Sequence, residues 1–277
     1  MKTIQRLFLV FVIITTFTLT AFASDVKSNT STTINEYDFL LDLNKETDSV
    51  LIERGYTAND IRVIRNAKEA YVNHIKACAR LTPSALENLG YTKEQITSLQ
   101  SFNGSESQIR ALAATLDFNL TIDYVTWSSS DDRTNARLRF DFEWNGVPLI
   151  KTTDIIALSW NDWTINGKTA YVTYTNIYGN GSDFNRTATY VQNSGPTSYG
   201  GGYKFAMTQS NNLYWAKSGL GIFTLYHNHT EKDLSAYAEY GHSTITVTPT
   251  FSIPGYGSIS FSYGTDTQSQ AWADMEC

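Results

Sequence analysis

From Arg137 to Trp144 the chain alternates without a break: Leu138, Phe140, Phe142 and Trp144 point one way, and Arg137, Arg139, Asp141 and Glu143 the other. A period of two belongs to extended backbone, whose successive side chains leave on opposite faces, so this segment has one dry and one wet side. The pattern recurs over 244–251, where Ile245, Val247 and Phe251 oppose Thr244, Thr246, Thr248 and Thr250, and over 258–263, where Ile259, Phe261 and Tyr263 oppose Ser258, Ser260 and Ser262. Residues 152–160 (TTDIIALSW) are more continuously apolar and read as a central strand. Strands also fit 117–126, 169–178, 186–192, 203–209 and 220–228. Turn signals separate them at Asn145-Gly146, Asn166-Gly167, Asn180-Gly181, Gly195-Pro196 and Gly200-Gly201-Gly202. Short antiparallel strands at this spacing over 117–277 predict a β-sandwich of jelly-roll or immunoglobulin-like layout.

Before Leu116 the pattern is helical and carries a short repeat. GYTANDIRVI at 55–64 and GYTKEQITSL at 90–99 match in Gly, Tyr, Thr and a following Ile, and a shorter copy, GSESQIRAL, begins at Gly104. Thr57, Thr92 and Ser105 are placed to cap helix N-termini, with Asp60, Gln95 and Gln108 three residues on to complete capping boxes. Ile61/Ile64, Ile96/Leu99 and Ile109/Leu112 then supply an apolar stripe. Each repeat glycine is placed to end the preceding helix, and Thr82-Pro83 opens one more. Four or five short helices are expected over 36–116. The fold class is therefore α+β, a small N-terminal helical region followed by an antiparallel sandwich.

The first 23 residues have the features of a signal peptide: basic Lys2 and Arg6, an apolar Leu7–Leu19 stretch, and Ala21-Phe22-Ala23 as a cleavage site. Residues 24–35 are polar, Ser/Thr-rich and read as a flexible leader. The domain plan is thus 1–23 signal peptide, 24–35 leader, 36–116 helical region and 117–277 sandwich, with a secreted, extracellular location. Net charge is −6 and no Lys/Arg cluster occurs, which argues against nucleic acid and against charge-driven binding to anionic lipid. In an oxidising compartment Cys78 and Cys277 allow one disulfide, worth about 4–5 kcal/mol through the long loop it would close. The alternative is a buried thiol at Cys78.

The capping boxes running into SESQIRALAATL, followed by TDIIALSW and an aromatic Ser/Thr-rich tail, resemble uncharacterised secreted proteins of Gram-positive bacteria over about residues 90–160. The resemblance implies no activity, and no functional residue is carried over from it.

Chemistry-bearing residues are few. On a strand, His227 and His229 share a face, and with His242 they form the candidate metal ligands; otherwise no cofactor is implied. The bland alternative is exposed histidines at a strand end. Asp141 and Glu143 share a face and have the residue types of a glycosidase pair, but Arg137 and Arg139 beside them favour a paired, solvated surface. Asp154 reads as the exposed start of its strand. Asp131, Asp132 and Asp183 are oxygen donors without the spacing of a calcium motif. G-x-S-x-G is absent.

All six tryptophans and 13 of the 17 tyrosines lie in 117–277. Trp160, Trp163, Trp127 and Trp215, beside polar runs, are the candidate binding platform, with core packing as the alternative. The expected function is non-enzymatic binding outside the cell, to wall polymer, glycan or protein. The Ser/Thr-faced segments 244–250 and 258–262 keep a β-pore-forming, toxin-like role with a membrane partner as the first alternative. A secreted hydrolase is the second.

Overall fold

The computed structural model describes residues 28–53, 55–192, 199–228, 233–242, 249–252, 258–261 and 266–275. The expected signal peptide (1–23) and Cys277 lie outside them.

Residues 28–35 of the expected leader instead open the sheet. β1 (Ser28–Asn35) pairs antiparallel with β2 (Thr115–Ser128), Ser28 opposite Ile122 and Asn35 opposite Thr115. The correction has a physical source: Ser and Thr tolerate extended backbone, and pairing with an edge satisfies their amides without any apolar pattern.

Asn35 then turns the chain into α1 (Glu36–Leu43), its side chain accepting from the amides of Tyr37 and Asp38. The helical region continues through α2 (Asp48–Glu53), α3 (Ala58–Arg65), α4 (Ala67–Cys78), α5 (Pro83–Asn88), α6 (Lys93–Gln100) and α7 (Glu106–Leu112). That makes seven short helices among the described residues, where four or five are expected. The capping boxes at Thr57/Asp60 and Thr92/Gln95 form in full, and Thr82 caps α5 with Pro83 in its first turn. The third does not form: Ser105 makes no capping bond, and Gln108 accepts from the amide of Asn103 instead. Gly55, Gly90 and Gly104 hold φ of 92°, 94° and 81°, the left-handed conformation that ends a helix.

The larger sheet orders its strands β1-β2-β3-β10-β5-β6, with β3 Arg133–Asn145, β10 Tyr214–His227, β5 Thr164–Asn176 and β6 Asp183–Thr187; β9 (Thr208–Gln209) also pairs with β10. The second sheet orders β14-β11-β4-β8-β7, with β14 Asp266–Met275, β11 Leu234–His242, β4 Thr153–Trp160, β8 Gly200–Ala206 and β7 Thr189–Gln192. Every pairing is antiparallel. Among the described residues, β12 (Pro249–Ser252) and β13 (Ser258–Phe261) pair only with each other. Gly200-Gly201-Gly202, expected as a turn, lies within β8 opposite Ser159, Leu158 and Ala157. A Cβ at Gly202 would come within 2.5 Å of the Ile156 carbonyl oxygen, so the run serves close strand approach rather than reversal.

The inner faces meet through aromatic rings. Phe142 stacks on Phe205 with centroids 5.1 Å apart, and Trp160 meets Phe223 at the same separation. The buried helix residues Leu40, Ile64, Tyr71, Ile75 and Leu112 belong to the same continuous core as these rings. The helical region is thus packed onto the sandwich rather than tethered to it.

Candidate functional site

Two polar places stand out, one inside and one outside. Inside, α1 begins with Glu36, which is wholly buried; β4 contributes Asp154 and β11 ends in His242, both also wholly buried. Nδ1 of His242 lies 2.9 Å from Oδ1 of Asp154, whose Oδ2 accepts from the Tyr240 hydroxyl at 2.5 Å. Nε2 of His242 lies 3.9 Å from Oε1 of Glu36. Glu36 accepts from the Tyr71 hydroxyl of α4 and from the amides of Leu149 (2.8 Å) and Ile150 (3.0 Å). Burial works against a charged imidazole, but the Asp154 and Glu36 carboxylates outweigh it and push the pKa of His242 up to about 10. Burial likewise works against ionised Glu36, yet the His242 imidazolium and the hydrogen bonds from Tyr71 and Ile150 hold it below the usual carboxylate range. A cation between two carboxylates, with their lone pairs filled, is how a dry interior holds charge. Full burial leaves no approach for a substrate, so this cluster pins the helical region to both strands instead of doing chemistry.

The candidate residues read from sequence fall largely into such structural roles. Asp154 is on the inner face of β4, not at an exposed strand start; its partners sit 86 and 88 residues away, beyond the reach of local pattern. Trp160, Trp163 and Trp215 are at most 1% exposed, so none presents a ring to a ligand. Their order comes from the core: the Trp160 indole donates to the Trp163 carbonyl and that of Trp163 to the Asp233 carbonyl. Of the four tryptophans, Trp127 alone is exposed, at the end of β2. His227 packs on Trp163 and lies 3.8 Å from Asp162, surroundings separate from those of His242, and His229 lies outside the described residues. Among the described residues no group of three His, Cys, Asp or Glu is arranged to hold a metal ion. Asp131 bonds to Ser128 in the β2–β3 turn, where Asp132 has φ of 51°, whereas Asp183 begins β6. Cys78 is buried on α4, and its pairing with Cys277 falls outside what the structure describes.

Outside, register builds a ladder across the larger sheet. One rung runs Asn119, Asp141, Leu220, Tyr171, Thr187; the next runs Asp117, Glu143, Ser218, Thr173, Asn185. Directly opposed residues point to one face, so both rungs look to solvent. Between them lies an open depression of about 400 Å³ floored at Gly219 and Phe142. Tyr171 is 50% exposed and Leu220 39%, side by side across β5 and β10. Around them stand the carboxylates of Asp141 and Glu143, the hydroxyls of Ser218 and Thr173, and the Asn185 amide. Asp141 is fixed by Arg139 (2.8 Å) and Asn119 (2.7 Å), as the alternating charges anticipate. Glu143 faces Lys217 at 3.4 Å, a residue brought round by the register shift between Ala216 and Ser218. The platform tyrosine escapes a search for tryptophans, although the alternation Ala170, Val172, Tyr174 against Tyr171, Thr173 already marks Tyr171 as the wet one.

No family model and no curated protein matches the chain. Solved structures with partial likeness include one titled "Pore forming protein" (11% identity, TM-score 0.27, 58% of this chain and 84% of the other). The C-terminal domain of the Streptococcus pyogenes antigen I/II-family protein AspA is similar at 10% identity, TM-score 0.27, over 57% of this chain and 53% of the other. The membrane-inserted Clostridium perfringens NetB toxin is similar at 9% identity, TM-score 0.23, over 58% and 88%. Likenesses this distant assign neither family nor activity.

Proposed function

We propose that the protein is a secreted, non-enzymatic binding module whose outer face on the larger sheet takes a polyhydroxylated ligand, a glycan or cell-wall polymer. One observation carries the reading: an exposed tyrosine ring lies in an open depression beside a row of carboxylate, hydroxyl and amide groups. A sugar ring has an apolar C–H face and a rim of hydroxyls. It therefore suits one flat aromatic ring, which buries area at little entropic cost, edged by donors and acceptors. The site is open and shallow, as binding along a polymer requires, and Asp141 is already engaged by Arg139, which favours recognition over acid catalysis. The test is co-sedimentation of the purified protein with cell-wall sacculi. Pelleting that falls at least tenfold in affinity for Tyr171→Ala, with an unchanged melting temperature, supports the reading. Pelleting indifferent to Tyr171, or none, overturns it.

A second reading, a β-pore former, is favoured by the β12–β13 hairpin. It joins neither large sheet, and β13 runs close to β4 and β11, whose residues Ile155, Ala157, Ser159 and Glu239 are buried although they alternate with the inward-facing ones. A hairpin of alternating Ser/Thr and apolar sequence that pairs with neither large sheet is the kind of element that a lipid barrel could recruit. Release of an encapsulated dye from lipid vesicles would select this reading, and intact vesicles would remove it.

A further inference from the structure

A second concavity, unrelated to the outer ladder, opens where the helical region meets the sandwich. It encloses about 380 Å³, and Leu81, Leu89, Val147 and Ile177 form its apolar walls. His74, Ala77 and Cys78 of α4 close one side, and Tyr178 stands at the rim, 58% exposed. Leu213, another large exposed apolar side chain, is next to it, since its carbonyl accepts from the Ile177 amide at 3.0 Å. The charge in this pocket has one sign. Burial lowers the pKa of His74 to about 4, leaving the imidazole neutral, and burial raises that of Cys78, leaving a thiol. Lys151 is the remaining basic side chain of the lining; burial lowers its pKa too, and the Glu36 carboxylate works against that. Its ammonium has three donors, of which one reaches the Pro148 carbonyl at 2.7 Å, and no carboxylate among the described residues lies within ion-pair distance. Glu36, a buried carboxylate whose field reaches Lys151, is committed to Tyr71, Leu149 and Ile150.

An apolar pocket of this size with one under-used cation at its wall matches an apolar chain that ends in a carboxylate. We propose that this pocket binds a medium-chain aliphatic carboxylate, its tail along Leu81, Leu89, Val147 and Ile177 and its head on Lys151. The carboxylate would take the ammonium donors that Pro148 does not use while the tail covers apolar surface that Tyr178 and Leu213 leave facing water.

Equilibrium dialysis with decanoate and with decanol tests this on the full chain. Saturable one-to-one binding of decanoate is expected, with decanol at least tenfold weaker because it cannot satisfy the charge. Lys151→Met should abolish that preference and Lys151→Arg should keep it. Ala77→Trp, which crowds the pocket from the exposed side of α4, should remove binding of both probes without changing the melting temperature. Absence of saturable binding, equal affinity for decanoate and decanol, or a preference that survives Lys151→Met would overturn the proposal. The sugar-facing ladder uses none of these residues, so either site stands or falls without the other.

Discussion

His242 and Asp154 meet at 2.9 Å with neither exposed to any solvent, joining the last residue of β11 to the second residue of β4 in the middle of the second sheet. Their pairing explains how an acidic and a basic group survive in a core lined by Trp144, Phe118 and Phe142. It also makes them interdependent: removing one leaves the other buried and uncompensated. His242→Gln and Asp154→Asn should each cost about 3–5 kcal/mol of folding free energy, against a small loss for exposed ion-pair controls such as Lys45→Gln. Urea titrations would measure this, and a loss under about 1 kcal/mol would show that the pair is dispensable.

The pH profile of stability follows from the same groups. His242 has its pKa raised from 6.5 to about 10, so its contribution is whole below pH 6.5 and is lost as pH climbs through 10. Glu239, pushed by burial from 4.5 to about 8, acts in the same direction: folding favours its neutral form, and that preference fades between pH 4.5 and 8. Glu36 has its pKa lowered, so its contribution holds above pH 4.5 and disappears under stronger acid. Melting temperature should therefore fall steadily from pH 6 to 10, and Glu239→Gln should flatten the lower part of that slope. A profile level across this range would contradict the assignment.

Trp160 and Trp163 are predicted to act on folding alone. Each is a fully buried ring with its indole N–H spent on a carbonyl, so Trp→Ala should cost about 3–5 kcal/mol by cavity formation. Loss of ligand binding in these variants should track loss of folded protein by circular dichroism. A folded Trp163→Ala variant with selectively impaired binding would count against the outer ladder.

Gly219 and Gly221 are held small by the rings beneath β10. A Cβ at Gly219 would approach Phe142 Cε1 to 2.3 Å, and one at Gly221 would approach Phe140 Cζ to 2.1 Å. Gly221→Val should destabilise the protein by about 1–3 kcal/mol through overpacking, visible as a lower urea midpoint. An unchanged midpoint would mean that the Phe140 ring moves freely aside.

What was legible in the sequence, and what was not, divides by distance along the chain. Alternation over 137–144 gives β3 with the correct faces, because the period is local to the strand. Thr57/Asp60 and Thr92/Gln95 cap their helices because a capping box spans three residues. β1 carries no apolar rhythm, being an edge strand that borrows its order from β2. β11 leaves little trace in the sequence because its inward residues include Ala236 and Ala238, too small to announce a core face. On β4 and β10, Trp160 and Trp215 take the face opposite their polar sequence neighbours, and Trp163, in the β4–β5 connection, is drawn inward by its bond to the Asp233 carbonyl. The His242–Asp154–Glu36 cluster spans more than 200 residues and was beyond any spacing rule. The outer ladder needed cross-strand register, although its single exposed ring was readable from β5.

Hydroxyl-radical footprinting of the protein with and without solubilised cell-wall glycan addresses the central claim at the residue concerned. Tyr171, Tyr178 and Trp127 are exposed aromatic rings on different parts of the surface, and each serves as control for the others. Protection of Tyr171 and Leu220, with Tyr178 and Trp127 oxidised at their free rates, is the predicted result. Saturating glycan that leaves Tyr171 unprotected, or protects Trp127 or Tyr178 in its place, would contradict a ligand seated on the β3–β10–β5–β6 face.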